Sequence, residues 1–171
     1  MASKTDIFDL GTLQLGSGQS RQIDLRLELE PLQFGGQRYE SESRLTDAIL
    51  DATRTRAGYS LRLRYRAALD GPCMRCLEES QTAIEIDARE VDQPGGGDDL
   101  TSPYLDGDEL DTRAWARDAL ALALPAQIVC RAECRGLCAV CGENLNDAAP
   151  DHAHERAPDP RFAKLSELRF E

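Results

Sequence analysis

Of 171 residues only two are lysines, Lys4 and Lys164, only two are histidines, His152 and His154, and aromatic rings make up 5%. There is no apolar run of about 18 residues, which excludes a spanning helix. The first residues, Met1-Ala-Ser-Lys4, lead into no apolar signal core, so a cytoplasmic protein is expected. The formal net charge is −11, which excludes a bulk-electrostatic nucleic-acid binder. With so few aromatics, only Tyr59 and Tyr65 near the basic segment could stack a base. Neither a lysine-bearing phosphate loop nor a nucleophile-elbow serine is present, and no histidine is left over for a catalytic triad once metal ligands are assigned. The expectation is a non-enzyme without a small-molecule substrate. The 18 arginines that replace the missing lysines fit a G- and C-rich genome better than a chemical need.

What is present is alternation. Residues 22–30 set Ile23, Leu25, Leu27 and Leu29 against Gln22, Asp24, Arg26, Glu28 and Glu30, the pattern of a half-buried strand. Residues 32–42, with Gly35 and Gly36, read as a turn or excursion, and residues 44–56 as extended. Residues 59–69 alternate again, Leu61, Leu63 and Tyr65 opposing Arg62, Arg64 and Arg66; so do residues 81–91, which makes 59–91 a hairpin with cysteines at its tip. A hairpin centred on the Cys73–Cys76 turn would set Arg64 opposite Glu85 and Arg62 opposite Asp87. Residues 93–99 contain Gly, Pro and acid but no apolar side chain, so 92–110 is expected to be an acidic loop. Asp111 or Thr112 can cap a helix over 111–124 that aligns Trp115, Ala119 and Leu122 with Leu110 and stops at Pro125. The expected fold is α+β: a mainly antiparallel β domain with one main helix over 1–125, and a C-terminal zinc-knuckle segment over 126–171. That segment is poor in apolar residues apart from an amphipathic turn around Phe162, Leu165 and Leu168.

All six cysteines and both histidines point to metal. In a reducing compartment, closely spaced cysteines more often hold a metal than form disulfides. The pair Cys73-Met-Arg-Cys76 is followed by Cys130, Cys134, Cys138 and Cys141-Gly142, then by His152-Ala-His154. Two thiolates separated by two residues can hold one ion because the intervening turn aims amides at the sulfurs, and a glycine after the second cysteine permits the positive φ of that knuckle. Eight ligands suffice for two closed tetrahedral zinc sites, structural because no position is left for water. Such ions could supply roughly 10 kcal/mol or more of folding free energy to a segment with a thin core. Iron in a similar site, a redox role for Cys73 and Cys76, and a plain solvated linker at His152 and His154 are the alternatives.

Two charged features remain. Arg62, Arg64 and Arg66 form a row that could bind phosphate, or could be a solvated face neutralised across the hairpin. Residues 77–112 carry twelve acids against the single Arg89, which numerically equals the whole charge of the chain.

The order of two strands, Cys73-Met-Arg-Cys-Leu77, acidic loop, helix ending at Pro125, Cys130, Cys134, then Gly136-Leu-Cys-Ala-Val-Cys-Gly-Glu-Asn-Leu-Asn146 and Asp159-Pro-Arg161, resembles the YceD family. Its members are called large ribosomal RNA subunit accumulation proteins. The resemblance covers the chain from about residue 45 and implies a role, with no established catalytic activity, in synthesis, processing or stability of large-subunit ribosomal RNA; the acidic charge adds large-subunit ribosomal proteins or assembly factors as expected partners, with ribosomal RNA met directly or indirectly. It also implies a gene near that of a small zinc-binding ribosomal protein. Where members usually carry Cys-x-Cys, this chain has His152 and His154, which zinc tolerates. Variation within the family suggests one site of Cys73, Cys76, Cys130 and Cys134 and another of Cys138, Cys141, His152 and His154; a local site of Cys130, Cys134, Cys138 and Cys141 is the rival partition. The functional expectation is an acidic zinc-binding adaptor. Its alternatives are a direct structured-RNA-binding module using the arginine row, and a metal-dependent redox sensor.

Overall fold

Two strands of fourteen residues organise the molecule: β6 (Tyr59–Pro72) and β7 (Glu79–Asp92) pair antiparallel along their whole length. The computed structural model describes residues 6–97 and 100–154. Before the hairpin come β1 (Ile7–Asp9), a single 3-10 turn (Leu10–Leu13), β2 (Ser20–Glu28), β3 (Leu32–Phe34), β4 (Gln37–Ser41) and β5 (Leu45–Arg54). After it come β8 (Leu105–Asp106), β9 (Glu109–Asp111) and α1 (Thr112–Ala123). All strand pairs are antiparallel, and α1 is the one α-helix among the described residues, so the fold is α+β. Among the described residues, no helix is long and apolar enough to cross a membrane.

The edge of β6 away from β7 is shared: β5 covers its first part (Ala48↔Tyr65) and β4 its end (Glu40↔Asp70). β2 then flanks β5. Residues 32–42 are therefore more than an excursion. Gly35 and Gly36 take positive φ at the tip of the β3–β4 hairpin, which brings Tyr39 under the end of β6. Tyr39 is fully buried, its hydroxyl donates to the Pro72 carbonyl (2.9 Å), and a Cβ on Gly71 would fall 2.3 Å from its ring.

On β2, β6 and β7 the inward-facing set is the one the alternation predicts: Leu25, Leu27, Leu61, Leu63, Tyr65, Ile84 and Ile86 are buried beneath α1, joined by Leu50 of β5. α1 begins on Asp111, whose carboxylate accepts from Ala114 N–H (2.8 Å), and ends at Leu124, extended as a residue before proline must be. Trp115, Ala116, Ala119 and Leu120 form its buried face, whereas Leu122 is 87% exposed, a correction to the expected stripe. The buried face is turned toward Ala116 and Leu120, the i, i+4 pair that meets the sheet, which carries Leu122 to the solvent side.

Two further expectations are revised. The segment 92–110 is not all loop: β8 and β9 pair with each other, and β9 pairs with β1 (Phe8↔Leu110), forming a second, three-stranded sheet. The hairpin register is also displaced by two residues, so that Arg64 faces Asp87, Arg66 faces Glu85 and Arg62 faces Arg89. The turn spans residues 73–78 rather than ending at Cys76, because Cys73 N–H reaches the Glu78 carbonyl (2.7 Å) and Leu77 adopts φ 63°. The proposed turn around Phe162, Leu165 and Leu168, the Asp159-Pro-Arg161 string, the N-terminal Met1-Ala-Ser-Lys4 and the Asp98-Asp99 pair lie outside the described residues.

Candidate metal centres

The tip of the β6–β7 hairpin is shaped by backbone hydrogen bonds before any side chain is considered. Leu77 N–H donates to the Cys73 carbonyl (2.9 Å), closing the turn that holds Cys73 and Cys76. Gly142 N–H makes the same bond to the Cys138 carbonyl (2.8 Å), and Gly142 has φ 77° where Leu77 has 63°. The two Cys-x-x-Cys-x stretches are thus one local structure built twice, with leucine in the left-handed position of the first.

The chain leaving α1 returns to this tip. Ile128 is buried there, and its carbonyl accepts from Met74 N–H (2.8 Å). This places Cys130 and Cys134 against the knuckle: Sγ of Cys73 lies 3.8 Å from that of Cys134, and Sγ of Cys76 lies 3.6 Å from that of Cys130. Cys73, Cys76 and Cys134 are buried and Cys130 half-buried. The second knuckle meets the histidines: His154 Nε2 lies 3.2 Å from Cys141 Sγ and 3.1 Å from His152 Nε2, and His152 Nε2 lies 3.6 Å from Cys141 Sγ. In each group of four, all ligand atoms lie within 4.8 Å of one another. A tetrahedral ion with bonds of about 2.0–2.3 Å requires ligand atoms about 3.3–3.8 Å apart. Both groups could therefore hold a metal ion. None of the six cysteines is in a disulfide, and the rival group of Cys130, Cys134, Cys138 and Cys141 does not assemble among the described residues.

The electrostatics favour thiolates where amides converge. Burial opposes ionisation of Cys73, but the backbone N–H groups of Cys76, Arg75 and Cys130 overcome it and bring the thiol down to about 6. Cys138 is also brought down to about 6, first by the Cys141 amide and then by His152. Cys134 is lowered chiefly by the Asn146 side chain, while burial and the neighbouring sulfurs push Cys130 up to about 12. One group of sulfurs cannot carry four negative charges unaided; a divalent cation, if held there, would supply the compensation.

Three supporting side chains were not singled out by spacing. Asn146 Nδ2 donates to Cys134 Sγ (3.5 Å) while its Oδ1 accepts from Arg135 N–H (2.9 Å). Glu143 Oε2 sits 3.0 Å from His152 Nδ1, leaving Nε2 to face the cluster. Arg75 spans the joint, Nε to Gln127 (3.0 Å) and Nη1 to the Cys134 carbonyl (3.1 Å). Gly136, at φ 75°, lies against the Arg75 carbonyl, 3.1 Å from where a Cβ would stand. Asn144 bridges to Glu78 (2.7 Å), and Leu145 N–H closes onto the Gly136 carbonyl (2.8 Å). The string 136–146 thus folds the second knuckle onto the first.

The arginine row does face outward, but each member is held by a carboxylate: Arg62 by Asp87 (2.5 Å), Arg64 by Asp51 (2.7 Å) and Arg66 by Glu85 (2.5 Å). The expected partner of Arg64 was Glu85; the register assigns that acid to Arg66.

The profile of the family described as "Large ribosomal RNA subunit accumulation protein YceD" matches residues 61–169. An uncharacterized protein of Mycobacterium tuberculosis is 35% identical over 104 residues, covering 57% of this chain and 49% of the relative. One from Mycobacterium leprae is 30% identical over 103 residues, covering 56% and 46%. The chain thus spans about half the length of the curated relatives it matches. No solved structure matches it.

Proposed function

Since this chain belongs to the YceD family, the large ribosomal RNA subunit accumulation proteins, we propose that it serves that process as a non-enzymatic, cytoplasmic adaptor. Its acidic surface would meet basic large-subunit ribosomal proteins or assembly factors. The observation that carries this reading is the state of the charges. Every arginine of the outward row is already paired, whereas the net −11 of the chain equals that of residues 77–112 alone. A phosphate backbone would have to displace three carboxylates to use the row, and would meet repulsion from the acidic segment. Basic protein meets neither obstacle.

The two ligand groups would each hold one zinc. Thiolate-rich donor sets suit zinc, and with four protein ligands each centre is closed, so the ion holds structure rather than activating water. Cys73, Cys76, Cys130 and Cys134 would fasten the chain after α1 to the hairpin tip; Cys138, Cys141, His152 and His154 would close the loop beyond it.

The test is ribosomal RNA accumulation in cells. Arg62→Ala/Arg64→Ala should leave large-subunit RNA near wild type, while neutralising the acids of 98–111 should lower it. The opposite pattern, with RNA affinity and its salt dependence falling in the arginine variant, would replace the adaptor by a direct RNA binder.

A further inference from the structure

α1 covers one face of the large sheet, and among the described residues the other face is open. That open face has two halves of different character. Across β5, β6 and the middle of β7, arginines and carboxylates alternate and cancel. Toward the first metal centre the balance is lost. There the end of β4, the end of β6 and the start of β7 border a groove of about 970 Å³ that contains Glu40, Glu42, Asp70 and Glu79. Arg38 is its one cation and is engaged by Glu40. Asp70 accepts from Gln81 (2.8 Å), while Glu42 and Glu79 make no ion pair or side-chain hydrogen bond among the described residues. At the rim stand Pro72 and Leu77, the latter 57% exposed.

We propose that this groove is the docking surface for an extended, arginine- or lysine-rich segment of a partner protein, anchored by one apolar side chain against Leu77 and Pro72. The proposal deepens the adaptor reading and rests on it for the partner's class. Charge complementarity selects a cationic occupant, and Leu77 adds an apolar contact that a nucleic-acid backbone cannot use. Glu40 stands in β4 and Glu42 one residue past its end, where its N–H still bonds the Ala68 carbonyl (3.2 Å); carboxylates two residues apart, about 6–7 Å where the chain is extended, match the spacing at which an extended peptide presents alternate side chains to one face. A peptide lying across the sheet end would therefore meet carboxylates with successive cations and Leu77 with its apolar residue.

The first knuckle offers a variant that separates folding from docking. Leu77 occupies the left-handed position that Gly142 holds in the second knuckle, so Leu77→Gly retains the turn and removes the anchor. The full chain, loaded with zinc, is titrated against a short fluorescent lysine peptide with a central leucine, and against its lysine-only counterpart. Leu77→Gly should weaken the leucine peptide about tenfold, as expected for loss of a largely buried apolar contact, and leave the lysine-only peptide unchanged. Glu42→Gln/Glu79→Gln should weaken both peptides severalfold. Asp24→Asn/Asp47→Asn, the same change in charge on β2 and β5 outside the groove, should weaken neither by more than about twofold. Equal loss in the two charge variants, or full binding by Leu77→Gly at unchanged zinc content, overturns the groove in favour of bulk charge. Tighter binding to a polyuridine oligonucleotide, lost in Arg62→Ala/Arg64→Ala, overturns it in favour of RNA. The cellular assay keeps the two ideas apart. If neutralising 98–111 lowers ribosomal RNA while these variants bind peptide normally, the adaptor survives and the groove falls. If peptide docking behaves as described and ribosomal RNA is indifferent to both sets of variants, the groove survives and the adaptor falls.

Discussion

At the scale of single residues, the supports around the ligands matter as much as the ligands. Asn146 is the clearest case: it holds Cys134 Sγ, the Arg135 amide and, at 2.8 Å, the side chain of Asn144, so it fixes where the sulfur stands. Asn146→Ala removes no ligand, yet should lower metal affinity of the four-cysteine centre about 10–100-fold, read by competition with a chromophoric chelator. An unchanged affinity would reduce Asn146 to loop packing. A second residue-scale prediction concerns Asp87. Its hydrogen bonds and attraction to Arg62 hold its carboxyl below the ordinary 3.8. A depressed folded value means that the pair's contribution is present above the unfolded value and is lost as pH falls through the folded one. Arg62→Ala should therefore return the Asp87 titration, followed by carboxyl NMR, toward 3.8. Exposed pairs contribute little to folding, so Arg62→Ala/Arg64→Ala should leave thermal stability nearly intact. The candidate ligand residues were legible from spacing, since few other arrangements separate two cysteines by two residues and set a glycine next, as at Cys138-Ala-Val-Cys141-Gly142. Asn146 and Glu143 were not, because a supporting hydrogen bond leaves no periodic mark.

At the scale of elements, alternation revealed β2, β6, β7 and the capped helix, but not the hairpin register. Register depends on how many residues the turn consumes, and Leu77 hides a left-handed position that a glycine would have advertised. The small sheet was equally hidden. Ile7 pairs with Asp111 across most of the chain, in strands of two or three residues too short to show a period. The elements also rank the two metal centres. The four-cysteine group is largely buried between hairpin tip and returning chain, whereas Cys141 and His154 are exposed. A chelator should accordingly remove the ion held by Cys138, Cys141, His152 and His154 first, giving two separate phases. His152→Ala/His154→Ala should lower the zinc content from two ions per chain to one and abolish the fast phase. A single zinc in the wild type, unaffected by that change, would make the histidine pair a linker after all.

At the scale of the whole molecule, the question is what the metal centres hold up. The main core is closed without them: its buried residues run from Leu10 to Leu120, and none of the cysteines belongs to it. The tip cluster is separate and small, three buried cysteines with Val129, Cys130 and Leu137 around them. With so little apolar surface to bury, the chain after Pro125 depends on its backbone contacts to Met74 and Arg75 and on whatever joins the sulfurs. Removing metal should therefore separate the two parts energetically. The strand signal in far-ultraviolet circular dichroism and the emission of buried Trp115 should persist, while amides at Cys134, Leu137, Cys138 and Leu145 lose protection from exchange. Cys73→Ser should give the same local loss near residues 129–133 even with the second centre filled, because that thiolate is shared between hairpin and returning chain. If the sheet melted along with the metal, the tip would be part of the folding core rather than a clamp on it. The clamp view has one further consequence. Leu77 belongs to the first knuckle and Glu79 begins β7, so losing the first ion would distort the groove at the sheet end while leaving the paired arginines in place. Peptide binding at that groove should fall with the slow phase of metal release and not with the fast one.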